Sequence, residues 1–275
     1  MTFLIKRWDS FCRALAEAGR ISIPASEVTA DTTDFLVLKH DVETNVGKAF
    51  RMAEVEYRYG HRGSYYVQAY LLKKSKNVAL LSKMQRMGHE ITYHHDVMDA
   101  CHGDLTRATE EFEANRMLFE NAGFSVETVC QHGNPIVERV GYTSNRDFFR
   151  SEAVRAAYPQ ITDIMVNFGE ARGVAFTYYS DAGRRFQMIY DPLTNDLMDS
   201  SERNIPYDTL EALLPAVLSG NSIVSTHPHR WERSGLVARL RGAIFKCIRA
   251  VAKLVAKIPF MKRFMSRYYH LAKKL

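Results

Sequence analysis

Four short apolar runs in this chain end abruptly in histidine or carboxylate, with helically spaced segments between them. The first is Phe35 to Lys39, leading into His40-Asp41-Val42-Glu43, and the second is Glu90 to Tyr93, leading into His94-His95-Asp96. Ser125 to Cys130 leads into Gln131-His132-Gly133, and Ile223 to Thr226 into His227-Pro228-His229-Arg230-Trp231. Runs of this length, rich in aliphatic and β-branched side chains, read as buried strands. The intervening helices are marked by their ends. Val46 to Tyr59 closes at Gly60, Lys76 to Met87 at Gly88, and Asp104 to Ala122 opens on a capping Asp and stops at Gly123. Asp208 and Glu211 open another helix in the manner of a capping box, and it ends near Gly220. Alternating strands and helices demand parallel strands joined by helical crossovers, an α/β fold.

Gly63 to Tyr70 supplies a further strand, and the weakly patterned stretch from Gly141 to Arg203 reads as loops, short helices and one or two strands, Val174 to Tyr179 the best of them, forming an insertion or an active-site flap. The opening nineteen residues form an amphipathic helix, followed by a polar link. This divides the chain into an N-terminal helix and link (1–34), a barrel (35–234) and a tail (235–275).

Parallel strands wound in this way bring their C-terminal ends to one mouth, so residues distant in sequence converge there. Alternation along the extended chain places Asp41 and Glu43 on one face, one carboxylate suited to hold a cation and the other to act as a base. Nitrogen and oxygen donors without thiolate suit a divalent ion, zinc foremost, in an open catalytic site. Such an ion acidifies water and polarises a carbonyl; a carboxylate takes the proton and a histidine protonates the leaving group. That chemistry is hydrolysis of an amide or ester.

Lys39-His40-Asp41-Val42-Glu43, Gly88 to His94 and Ser225-Thr226-His227-Pro228-His229-Arg230-Trp231 resemble motifs of the polysaccharide deacetylase superfamily, the NodB-homology or carbohydrate esterase family 4 group. The likeness is to a divergent branch with His-Asp-Val-Asp and His-Pro-x-Arg-Trp motifs, and Gln131 to Pro135, Ser144 to Asp147 and Tyr179 to Arg185 also look like that branch. The resemblance implies a distorted (β/α)7 barrel that removes an N-acyl group, acetyl or formyl, from an amino sugar or polysaccharide. It makes Asp41 the general base, His227 the general acid, and Glu43 and His94 metal ligands. The family's second metal histidine falls at Met98, which cannot serve a hard cation, so His132, Asp96 or His95 must supply the third contact, with His132 favoured. Gly133 belongs to the segment replacing the family's Arg-x-Pro-x-Gly motif. Gly133, Arg184, Arg230 and Trp231 are the expected substrate contacts, Arg230 as a cation and Trp231 as a flat face for a pyranose ring. A bracing role at the barrel rim is the alternative for the last two. A catalytically silent barrel that binds glycan or scaffolds a glycosyltransferase is the rival reading.

Composition narrows the setting. Apolar content of 46% and charged content of 25% are those of an ordinary globular protein. Cys12, Cys101, Cys130 and Cys247 are scattered without a Cys-x-x-Cys pair, which indicates neither a zinc ribbon nor a disulfide framework and suits a reducing cytoplasm. Lys6, Arg7 and Asp9 interrupt any secretory hydrophobic run, and no stretch reaches the roughly 20 apolar residues of a membrane span. The net charge of +6 conceals an asymmetry: residues 236–275 carry eleven Lys and Arg and no acid, leaving the body at 26 − 31 = −5. Apolar residues at Leu240, Ile244, Ile248, Val251, Val255 and Ile258, then at Phe260, Phe264, Tyr268, Leu271 and Leu275, form helical stripes on either side of Pro259. Basic amphipathic helices of this kind lie on anionic bilayers. The expected setting is peripheral on the inner face of a bacterial cytoplasmic membrane, in O-antigen or capsule assembly, with no nucleic-acid partner.

Overall fold

The computed structural model describes residues 3–134, 137–183, 186, 206–240 and 243–244. Seven strands, β1 (Leu36–Val42), β2 (Ser64–Val67), β3 (Glu90–His95), β4 (Thr128–Gln131), β5 (Thr162–Asp163), β6 (Thr177–Ser180) and β7 (Ser222–Thr226), form one sheet in the order β5-β4-β3-β2-β1-β7-β6. Every pairing is parallel. The helices are α1 (Ile5–Glu17), α2 (Val46–Arg58), α3 (Ser75–Arg86), α4 (Val97–Ala100), α5 (Leu105–Asn121), α6 (Asp147–Arg150), α7 (Glu152–Ala157), α8 (Phe168–Arg172) and α9 (Leu210–Val217).

Local chemistry sets the junctions. Asn45 ends the loop after β1 and caps α2 by accepting from the Lys48 amide at 3.1 Å, and Asp104 caps α5 through the Arg107 amide at 3.1 Å. The cap of α9 is Thr209, which accepts from the Ala212 amide at 3.1 Å, one residue beyond the expected Asp208. The late strand is Thr177–Ser180, shifted from Val174 to Tyr179, and Thr162–Asp163 is a strand of two residues inside the weakly patterned stretch.

The sheet curls. Cys130 on β4 and Tyr178 on β6 lie five strand intervals apart, roughly 24 Å in a flat sheet. They nevertheless pack in one buried cluster with Val37, Tyr66 and Ile223. The inner faces therefore close on one another, and β5 and β6 are left as the edges among the described residues. Seven parallel strands thus form a curled half-barrel, in keeping with the distorted (β/α)7 barrel that the resemblance implied but open between β5 and β6 among the described residues. The outer faces carry two further cores. One joins β2 and β3 to α2, α3 and α5; the other seats Trp8, Phe11, Cys12 and Leu15 of α1 against β1, β7 and α9. Cys12, Cys101 and Cys130 are free and buried, while Cys247 lies outside the described residues.

Candidate active site

All seven residues of β1 are buried, so each face of the strand must satisfy its own chemistry. Period-two alternation sends Lys39 and Asp41 into the half-barrel and His40 out toward α1 and α2. The inward pair meets directly, Lys39 Nζ donating to Asp41 Oδ1 at 2.5 Å and to Ser225 Oγ at 3.3 Å. The ammonium also lies over the rings of Tyr66 and Tyr178, 5.2 and 5.9 Å from their centroids. Burial works against its charge, but the Asp41 carboxylate more than compensates and raises the lysine well above its ordinary pKa. Burial likewise pushes Asp41 up, and the Lys39 charge outweighs it, holding the carboxyl below its usual value.

The same alternation separates the histidines. His94 points inward from β3 and donates Nδ1–H to the Cys130 carbonyl at 2.9 Å, which leaves Nε2 as a lone pair facing the cleft. Burial lowers its pKa to about 3, so the ring is neutral near pH 7. His95 points outward instead, its Nε2 3.0 Å from Asp163 Oδ2, among Phe112, Phe148 and Phe149. It cannot reach a cation in the cleft. Met98 is buried in the outer apolar core. His40, at another strand end, also faces away, stacked on Tyr65 with its Nε2 3.0 Å from Glu56 Oε1.

His132 follows β4, and its ring stands nearly perpendicular to that of His94 at 5.2 Å between centroids. Its Nε2 is 3.4 Å from Glu43 Oε1. Donor atoms of Glu43, His94 and His132 lie within 4.8 Å of one another, and those of Asp41, His94 and Cys130 form a second such set. The first set fits a divalent ion on its chemistry. It offers one carboxylate and two imidazoles, and His94 is already fixed in the ligating tautomer by a bond to a backbone carbonyl.

Opposite stands His227, just after β7. Asp181 receives its Nδ1–H at 2.5 Å and its backbone amide at 3.1 Å, so Nε2 is aimed into the cleft, 3.8 Å from both Asp41 Oδ2 and Glu43 Oε1. Asp181 is fully buried and also accepts from Arg230 at 3.0 Å and from Trp231 Nε1 at 3.3 Å. Burial favours its neutral form, but His227 and Arg230 prevail and hold it well below the usual carboxylate range. This buried carboxylate is the anchor of the β7 end. His229 sits beside His227, 5.9 Å between ring centroids.

The expected substrate contacts divide. Gly133 is exposed beside His132, and no atom crowds the place where a Cβ would stand. Arg230 is partly exposed but held by Asp181. Trp231 is corrected: only 1% of it is exposed, and its ring packs against Trp8 at 5.4 Å and Phe3 at 5.2 Å, so no face is left for a sugar. Arg184 lies outside the described residues. Lys39, Asp181 and Cys130 were absent from the expected set. Lys39 had a signal, a lysine two residues before Asp41 on the same face of a buried strand.

No protein-family model and no curated protein matches the sequence. Among solved structures, the carbohydrate esterase domain (Xyl-CE4) of a multidomain xylanase from the hindgut metagenome of Trinervitermes trinervoides aligns with 82% of this chain and 91% of its own, at a TM-score of 0.43 and 12% identity. A mutant of the peptidoglycan deacetylase PdaC from Bacillus subtilis aligns over 90% of this chain and 99% of its own, at a TM-score of 0.42 and 11% identity. A peptidoglycan deacetylase from Bdellovibrio bacteriovorus aligns over 75% of this chain and 48% of its own, at 0.35 and 13%.

Proposed function

We propose that the protein is a metal-dependent deacylase that hydrolyses the N-acyl group of an amino sugar or a polysaccharide built from one. The observation that carries this reading is the meeting of a base, an acid and a donor set from four strand ends in one cleft. Glu43, His94 and His132 would hold the ion, zinc being the one their donors suit. When bound, it would supply Lewis acidity toward the acyl carbonyl and the attacking water.

The chain's own groups do the rest. Asp41 is tied through Oδ1 to Lys39, which leaves Oδ2 toward the cleft to take a proton from water as that water attacks the acyl carbon. The tetrahedral adduct then breaks its C–N bond, and the departing amine takes a proton from His227 Nε2. Asp181 keeps the imidazole oriented and stabilises its positive charge while the ring carries two protons. Products are a carboxylate and a free amino sugar.

Assay of released acetate or formate from N-acylated sugars and their oligomers tests the reading. Asp41→Asn should lower turnover by about 10²–10⁴-fold while leaving bound metal unchanged. Equal activity of that variant, or turnover indifferent to metal removal, would overturn it. A place in surface-polysaccharide assembly, with the basic tail on an anionic membrane face, completes the proposal.

A further inference from the structure

The two donor sets share His94, whose single cleft-facing nitrogen can serve only one ion at a time. They differ in character. The outer set of Glu43, His94 and His132 offers oxygen and nitrogen, and the inner set of Asp41, His94 and Cys130 adds a thiol. Zinc and its neighbours bind thiolate strongly and deprotonate a coordinating thiol, so nothing in donor chemistry alone would keep an ion out of the inner set. What separates the two is Lys39. Its ammonium bonds Asp41 Oδ1 at 2.5 Å, and it interacts electrostatically with Cys130 and with His94 as well. A fixed positive charge among all three inner donors both uses the carboxylate and repels a second cation.

We propose that Lys39 selects the donor set: its ammonium fills the inner triad and confines a divalent ion to Glu43, His94 and His132, keeping Asp41 free of metal and Cys130 a bystander. This rests on the metal site proposed above. It assigns to one buried lysine the choice between a hydrolytic site with a free base and a thiolate site without one.

Cobalt(II) is the probe, because thiolate ligation produces a near-ultraviolet charge-transfer band that oxygen and nitrogen ligation does not. The full chain should take up one equivalent of cobalt without that band, and Cys130→Ser should leave cobalt affinity within about twofold, far from the tenfold change that 1.4 kcal/mol of lost ligation would give. Lys39→Met, similar in length but uncharged, should bind cobalt with the thiolate band, and Lys39→Met with Cys130→Ser should lose it. A thiolate band in the unmodified protein, a tenfold loss of affinity in Cys130→Ser, or a Lys39→Met spectrum identical to the parent would each overturn the inference while leaving the metal site intact. Should Lys39→Met fail to fold, the parent spectrum and Cys130→Ser decide. No cobalt binding by the unmodified protein would instead defeat the metal site itself, and this inference with it.

Discussion

At the scale of single residues, the site depends on pairs in which one member fixes the state of the other. Asp181 is the plainest case. It is fully buried, yet it holds the cleft's His227 by both the ring and the backbone amide. Asp181→Asn keeps the shape but offers a neutral amide where the carboxylate faced the imidazole, so turnover of an N-acylated sugar should fall by about 10²–10⁴-fold, the upper end matching the loss seen when a triad carboxylate is replaced in this way. Substrate affinity should change little, and steady-state rates against substrate concentration separate the two effects. Asp41, Glu43, His94, His132 and His227 could all be found in the sequence because each sits where an apolar run stops, and parallel strands bring such stops together. Lys39 lies inside the run rather than at its end, so only the period-two alternation that it shares with Asp41 marks it. Trp231 stood between a sugar face and a bracing role for another reason: whether an aromatic face is open depends on Trp8 and Phe3, which arrive from the far end of the chain.

Among the elements, the segment after β4 carries His132 without a strand or helix of its own, so it must be braced from outside. Asn145, just before α6, donates to the His132 carbonyl and to Asp99 Oδ2, both at 2.8 Å, and accepts from the Asp99 amide at 2.8 Å. Arg139 closes the brace with two bonds to Asp99 and one to the Asn134 carbonyl. Asn145→Ala should therefore weaken divalent-ion binding by about 10–100-fold, measured by competition with a chelator, and, because it strips buried partners of their bonds, should also lower the stability of the metal-free protein by about 1–3 kcal/mol. A second brace lies behind the sheet. Glu56 of α2 accepts from Trp8 of α1 at 3.0 Å and Tyr65 of β2 at 2.8 Å, with His40 and His89 at 3.0 and 3.7 Å. Burial raises the Glu56 pKa, but His40 and its other partners win and depress it, while burial lowers His89. Both shifts make stability fall toward acid: His89 begins to act below about pH 6.5, where the unfolded ring protonates, and Glu56 below about pH 4.3. Glu56→Gln should cost about 3 kcal/mol at pH 7 in chemical denaturation, and the gap to the parent should narrow as pH falls through the carboxylate's depressed value. These helices were legible from their caps and spacing. Strand β5 was not, because two residues cannot show a period.

For the molecule as a whole, charge is divided rather than balanced. The body through residue 235 is net −5 and the last forty residues are +11. Among the described residues no helix is long and apolar enough to cross a membrane. The described start of the tail, helical over residues 235–240, leaves Leu236 78%, Leu240 60% and Ile244 44% exposed, so this stripe is not spent on the core, and the continuing pattern beyond it lies outside the described residues. An exposed apolar stripe flanked by cations gains twice at an anionic bilayer, by burial of the stripe and by about 1 kcal/mol for each Lys or Arg near the surface. The body, carrying the opposite sign, gains nothing there, so attraction should reside wholly in the tail. Removing residues 236–275 should therefore abolish co-sedimentation with vesicles containing phosphatidylserine, while the full chain should bind them, and bind less as salt rises and screens the charges. Neutral phosphatidylcholine vesicles should hold neither form firmly. Vesicle binding that survives the truncation would place the membrane contact on the half-barrel itself and leave the tail's two apolar stripes to be explained by packing against protein.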